Sequence, residues 1–203
     1  HEVIAILDDT ARQSALISGS VDIINRPALK GIDRLKRVKG VNILAIPSNL
    51  AFTHPMRMDV PPFGNNDFRM ALKLSTPRQE FMDKVLFGYG VMGNDQPLGP
   101  QFPSYDANLK PEYDLDKAKY HLKKAGLEGV KIDLSASNTS YGGAMDAAQL
   151  FQSHWGKIGV NLNIVREPQD GYWTNVWNVK PFCTCYWGPR PVEDMILSIC
   201  YLS

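Results

Sequence analysis

Apolar residues recur along this chain in two rhythms, and the change from one to the other marks out its elements. Val130–Ala136 alternates apolar and polar positions, the period-two pattern of a half-buried strand, and Val160, Leu162 and Ile164 repeat it. Between them Ala144, Ala148, Phe151, Trp155 and Ile158 recur at steps of four and three, which predicts a helix with one apolar stripe, ended by Gly159. Earlier in the chain, Val3–Leu7, Val21–Ile24 and Val41–Ile46 are short apolar runs that predict three strands. A helix over Thr10–Ser18 separates the first two, with Asp8 or Asp9 as its cap and Gly19 as its stop. A short basic helix marked by Ile32, Leu35 and Val38 separates the second from the third. Strand, helix, strand in that order is a parallel α/β unit by pattern.

The middle of the chain is helical by the same reasoning. Pro47 to Pro62 is a connection rich in Pro, Met and polar residues, with a short strand at Asn49–Thr53 and a domain boundary near it. A helix capped at Asn65 or Asn66 buries Phe68, Ala71 and Leu72. The next has Thr76 at its cap, Pro77 at its first position and Gln79 at its third, a capping box with a preset φ; Phe81, Val85 and Leu86 face inward and Gly88 ends it. Gly88 to Tyr113 lacks periodicity and reads as a long ordered loop or lid. Asp114 caps a helix in which Leu115, Ala118, Leu122 and Ala125 share a face, and Gly126 ends it. His121 beside that face reads as structural, since no partner accompanies it in sequence.

Candidate recognition chemistry gathers at two places. Ser137-Asn-Thr-Ser-Tyr-Gly-Gly143 is a polar loop at the C-terminal end of a strand and before a helix, where open α/β sheets hold ligands. Phe182-Cys-Thr-Cys-Tyr-Trp-Gly-Pro-Arg-Pro-Val-Glu-Asp194 is an aromatic run that stops at Gly188, Pro189 and Pro191. It crowds Trp187, Arg190, Glu193 and Asp194 at a strand end, where an aromatic wall supplies contact area and a few charges set orientation. An aromatic helix or turn over Asp170–Val179, with Tyr172, Trp173 and Trp177, leads into it.

Composition narrows the function classes. The 203 residues suffice for one good core or two small ones; 22 Lys and Arg against 21 Asp and Glu leave a net charge of +1. No bulk charge therefore points to nucleic acid or an anionic membrane. No apolar run approaches the roughly 20 residues of a membrane helix. His1-Glu-Val-Ile-Ala-Ile is neither a signal peptide nor a natural start, so a piece of something longer is expected. Cys183, Cys185 and Cys200 read as buried thiols rather than a metal site, because no His or second cysteine pair stands at zinc spacing. No phosphate loop, G-x-S-x-G or Ser/Cys–His pairing equips the chain for catalysis. A non-enzyme without cofactor or metal is expected.

Four ordered segments carry a resemblance. Pro61-Pro-Phe-Gly-Asn-Asn-Asp-Phe-Arg-Met-Ala-Leu72, followed by a capped helix and Leu86-Phe-Gly-Tyr-Gly90, resembles the family 5 extracellular solute-binding proteins of ABC importers, the dipeptide, oligopeptide and nickel class. Ala15-Leu-Ile-Ser-Gly-Ser-Val-Asp-Ile23, Tyr113-Asp-Leu-Asp-Lys-Ala-Lys119 and Lys157-Ile-Gly-Val-Asn-Leu162 are similar to further segments of the same family, in the same order.

The resemblance implies an α/β, periplasmic-binding-protein-like lobe (type II, cluster C), part of a two-lobed protein. Residues 1–46 would be a remnant of the first lobe and 47–203 most of the second, truncated at its C-terminal end. It implies a monomeric importer component, periplasmic or extracellular and membrane-associated, that carries a peptide or peptide-like solute to an ABC permease and does not bind nucleic acid. A ligand-presenting sensor or chaperone of the same fold, a hydrolase and a nickel carrier are the alternatives. Trp187, Trp173 and Tyr172 would pack the ligand, and Asn138 would exchange hydrogen bonds with it. The family's Trp-x-x-Asp turn places an acid against a peptide amino group; here that position is Arg190, which would instead hold a carboxylate. Glu193 or Asp194 either supplies an amine partner or neutralises Arg190.

Overall fold

The computed structural model describes residues 2–46 and 48–201, apart from the side chains of Cys200 and Tyr201. Its centre is the predicted strand–helix–strand unit. Strand β2 (Lys131–Ala136) and strand β3 (Asn161–Arg166) lie parallel, in register from Lys131 opposite Asn161 to Ala136 opposite Arg166. Helix α6 (Ala144–Gly156) crosses between them and buries Ala144, Ala147, Ala148, Phe151 and Trp155. Gly159 turns the chain back with φ at 93°, a left-handed conformation that a side chain resists.

The aromatic run at 182–187 ties this unit to a second pair of strands. Ser135 N donates to Phe182 O at 3.0 Å and Thr184 N donates to Ser135 O at 2.9 Å, so the run begins against the edge of β2. It continues as β4 (Cys185–Trp187), antiparallel to β1 (Ala51–Thr53), with Phe52 opposite Tyr186 and Ala51 opposite Trp187. Gly188 and Pro189 end the strand, as the sequence requires. Helix α8 (Glu193–Tyr201) follows.

Helices cover this sheet. Helix α3 (Asn66–Leu74) starts where Asn65 accepts from Phe68 N at 3.1 Å, and it buries Phe68, Ala71, Leu72 and Leu74. Helix α5 (Leu115–Lys124) is capped by Asp114 and buries Ala118 and Leu122 against α3. Phe151, Trp155 and Phe182 stack in series, with centroids 5.2 and 6.1 Å apart, and fill the space between α6 and the sheet. Burying a side chain of this size stabilises by about 1.5–3 kcal/mol, so this aromatic column holds the sheet to its helices.

Helix α4 (Arg78–Lys84) forms without the capping box read from its sequence. Thr76 Oγ1 donates back to Leu72 O at 2.7 Å, closing α3 instead, and Gln79 bonds Asp83. A hydroxyl within reach of an unpaired helix-end carbonyl takes that partner first. The 88–113 loop is irregular and pinned by Arg78, both of whose bonds to Asp95 are 3.0 Å or shorter.

The first forty-six residues differ most from expectation. Helix α1 (Asp9–Ile17) forms, capped by Asp8, and α2 (Ile32–Leu35) buries Ile32 and Leu35. None of the three predicted strands forms: Val3–Leu7, Val21–Ile24 and Val41–Ile46 carry no ladder among the described residues. Val3 is 96% exposed, Ile23 85% and Leu44 83%. Extended chain becomes a strand only when a neighbour takes its backbone hydrogen bonds, and none is placed beside these runs.

Candidate ligand-binding site

The turn after β4 presents Arg190. Its backbone carbonyl accepts from Asn49 Nδ2 at 3.4 Å, and its guanidinium folds back so that Nη1 lies 3.9 Å from where a Cβ on Gly188 would sit. The Nε of Arg190 and the Oδ1 of Asn49 are both buried without a hydrogen-bond partner. The neighbouring acids are engaged elsewhere. Glu193 accepts from Ser104 N at 2.7 Å and Ser104 Oγ at 2.8 Å, and Asp194 accepts from Ser198 Oγ at 3.3 Å. Neither carboxylate pairs with Arg190, so the half-buried cation keeps its charge uncompensated within the described residues.

Strand alternation distributes the aromatic residues. Successive side chains of β4 point to opposite faces, so Tyr186 shares a face with its partner Phe52 while Trp187 turns the other way. Trp173 meets Tyr186 edge-on at 5.3 Å and is 40% exposed; Trp177 meets Trp187 edge-on at 5.7 Å. Arg26, from the first segment, stands over the Tyr186 ring with its guanidinium carbon 5.4 Å from the centroid. Tyr172 is different. At the start of helix α7 (Tyr172–Asn175) it is 1% exposed, and its hydroxyl donates to Thr184 O at 2.6 Å. The structure makes it a buried strut beneath the site, with no ring surface for a ligand.

The polar loop is tied to the same strand. Ser140 Oγ lies 2.7 Å from Ser137 O and 2.7 Å from Thr184 Oγ1. Tyr141 stacks on Phe52 at 4.3 Å, and its hydroxyl lies 2.7 Å from His54 Nε2. Burial pushes the His54 pKa down to about 4, so this ring is neutral. Asn138 is exposed, and its Oδ1 accepts from Met145 N at 3.1 Å. It thereby caps α6, whose own cap residue, Gly143, has no side chain and sits at φ 90°. A Cβ at Gly143 would come within 2.9 Å of Val85, so the cap must be supplied from elsewhere. The amide NH2 of Asn138 makes no bond among the described residues and is free to donate to a ligand.

Cys183 and Cys185 are buried free thiols, as read from the sequence; burial raises their pKa to about 11 and about 12. The side chain of Cys200 lies outside the described residues. His121 does have a partner, Asp67 Oδ1 at 2.8 Å, reached from a different helix. Two hollows open away from the Arg190 turn, one of about 310 Å³ beside Met58, Pro62 and Leu127, the other of about 180 Å³ beside Arg78, Met92 and Tyr113.

Of the residues proposed from sequence, the structure gathers Arg190, Trp173 and the polar loop around β4. It turns Trp187 towards Trp177, occupies Asp194 with Ser198 and buries Tyr172. Sequence reasoning missed Tyr186, Asn49 and Arg26. Only the spacing of Tyr186 within the aromatic run signalled the first; the other two come from distant segments.

Known proteins share this fold. The family model for bacterial extracellular solute-binding proteins, family 5 Middle, matches residues 2–198. Di/tripeptide-binding protein 1 of Pseudomonas aeruginosa (strain UCBPP-PA14) is 31% identical over 166 residues, 78% of this chain and 30% of that protein. The dipeptide-binding protein of Escherichia coli (strain K12) is 28% identical over 163 residues, 78% of this chain and 30% of that protein. Among solved structures, the ABC transporter-associated periplasmic binding protein DppA from Helicobacter pylori, in complex with peptide STSA, is similar at 25% identity and a TM-score of 0.80, covering 95% of this chain and 38% of that one. The chain spans about 30% of the length of the curated relatives it matches.

Proposed function

The chain belongs to the bacterial extracellular solute-binding proteins of family 5, a binding rather than a catalytic family whose named relatives are periplasmic, and on that premise we propose that it forms one wall of a peptide-binding cleft. The protein that contains it is the solute-binding component of an ABC importer. It closes two lobes around a peptide or peptide-like solute and delivers that solute to a membrane permease. Residues 1–46 belong to the first lobe and 47–203 to the second, and the cleft runs past the Arg190 turn.

One observation carries this reading: Arg190 is a half-buried guanidinium with an unpartnered Nε, beside an aromatic strand end, while the adjacent acids are engaged by Ser104 and Ser198. Desolvating a cation without a counter-charge is unfavourable, so such a site favours an anion from outside the chain. A guanidinium offers a planar fork that matches a carboxylate, the group every free peptide carries at its end. Trp173 and Tyr186, packed edge-on on the strand that leads into the turn, would supply apolar contact.

Calorimetry on the full-length protein tests this. Arg190→Ala should weaken binding of the dipeptide Ala-Ala by about 2–5 kcal/mol, as removal of one partner from a buried charge pair does. C-terminal amidation of the peptide should cost a comparable amount. Unchanged affinity in both experiments removes Arg190 from the site.

A further inference from the structure

Arg26 does two uncommon things at once. Its φ is 49°, in the left-handed region that non-glycine residues rarely occupy, and the next residue is Pro27, which restricts it further. That bend sends its guanidinium across to Tyr186, at the far end of the chain, where it stands 5.4 Å over the ring. Arg26 is exposed, and among the described residues no carboxylate pairs with it. Backbone strain of this kind persists where the surroundings over-determine a position, and here it aims a cation at the site.

The second cation is already in place. Tyr186 lies in β4 and Gly188 just beyond its end, two residues on, so at most about 7 Å of chain separates them. Arg26 covers Tyr186, and Arg190 Nη1 covers Gly188. Two guanidinium groups from opposite ends of the sequence are therefore held at the C-terminal end of β4, and neither is neutralised by an acid among the described residues. Cation–π contact holds Arg26 over the ring without consuming its hydrogen-bond donors, which leaves them free for a ligand.

We propose that Arg26 is a specificity-determining residue of the cleft, a second anion-binding group that selects solutes carrying two carboxylates a short chain apart. The substrate class is then acidic: a dipeptide ending in aspartate or glutamate, whose terminal carboxylate meets Arg190 and whose side-chain carboxylate meets Arg26. This rests on the peptide-cleft reading above and narrows it.

The test is calorimetric titration of the full-length protein, wild type and Arg26→Ala, with three probes: Ala-Ala, Ala-Glu and glutarate. Arg26→Ala should weaken Ala-Glu about tenfold, the effect of one charge-assisted hydrogen bond, and change Ala-Ala less than about twofold. Arg26→Lys keeps the charge but not the fork, and should recover part of the loss. Unaltered thermal melting of the variants excludes misfolding as the cause. Equal weakening of Ala-Ala and Ala-Glu, or no weakening of either, overturns the inference while leaving a peptide cleft in place. Binding of glutarate without either dipeptide, if lost in Arg26→Ala, upholds the two-cation site and overturns the peptide reading. Binding of none of the three overturns both.

Discussion

Val130–Ala136 and Val41–Ile46 carry similar apolar runs, yet one is a core strand and the other lies open. In β2, Leu134 and Ala136 are fully buried because β3 on one side and the 182–187 run on the other take the backbone hydrogen bonds. At the other run, Leu44 and Ile46 are 83% and 69% exposed, and among the described residues no strand pairs with it. The two differ in their neighbours far more than in their own letters. A strand is a property of a pair, so an apolar run only bids for it.

The largest test of that contrast is a pair of substitutions. Leu134→Ala should cost about 2–5 kcal/mol in urea unfolding, the usual penalty for emptying a buried leucine site. Leu44→Ser should stay within about 0.5 kcal/mol, as exposed substitutions do. If the two cost the same, the contrast collapses.

Acid should find the packed half next. The His54 pKa is lowered from 6.5 to about 4 by burial, so the folded state resists a proton that the unfolded state accepts. Stability is then full above pH 6.5 and falls as the pH drops towards 4, by up to about 3 kcal/mol from this group. His54→Gln should flatten that window when denaturation midpoints are followed against pH. The Asp67 carboxyl, held low by His121 and then Lys124, and that of Glu80, held low by Lys84, add their losses below the ordinary carboxylate range.

The smallest test compares two helix caps. Asp114 accepts from Asp116 N and Lys117 N, and Asp8 accepts from Ala11 N. Asp114→Ala should lower the global unfolding free energy by about 1 kcal/mol, because α5 belongs to the core. Asp8→Ala should speed amide exchange within α1 and leave the global transition unmoved. Equal global shifts would join the two halves into one cooperative unit.

What the sequence disclosed follows the same division. The caps at Asn65 and Asp114, the α6 stripe and the stop at Gly159 are local, set by neighbours three or four residues away, and all are found in the structure. The capping box at Thr76 failed because a competing carbonyl, Leu72 O, lay one turn back. Asn138 was legible as polar but not as the cap of α6, since that role follows from Gly143 being pressed against Val85. Tyr172 looked like a ligand platform by type; only the fold shows its hydroxyl held by Thr184. Arg26 and Asn49 were invisible as candidates because their partners, Tyr186 and Arg190, lie at the other end of the chain.

The run that carries the proposed recognition face also carries its own clock. Cys183 and Cys185 hold their protons up to about pH 11 and 12 while packed, and alkylating reagents attack only thiolate. In mildly alkaline buffer both sulfurs stay silent until that run lifts from β1 and β2. With Cys200 replaced by serine, brief pulses of iodoacetamide then count each lifting event, and any solute that bridges the two arginines slows the count.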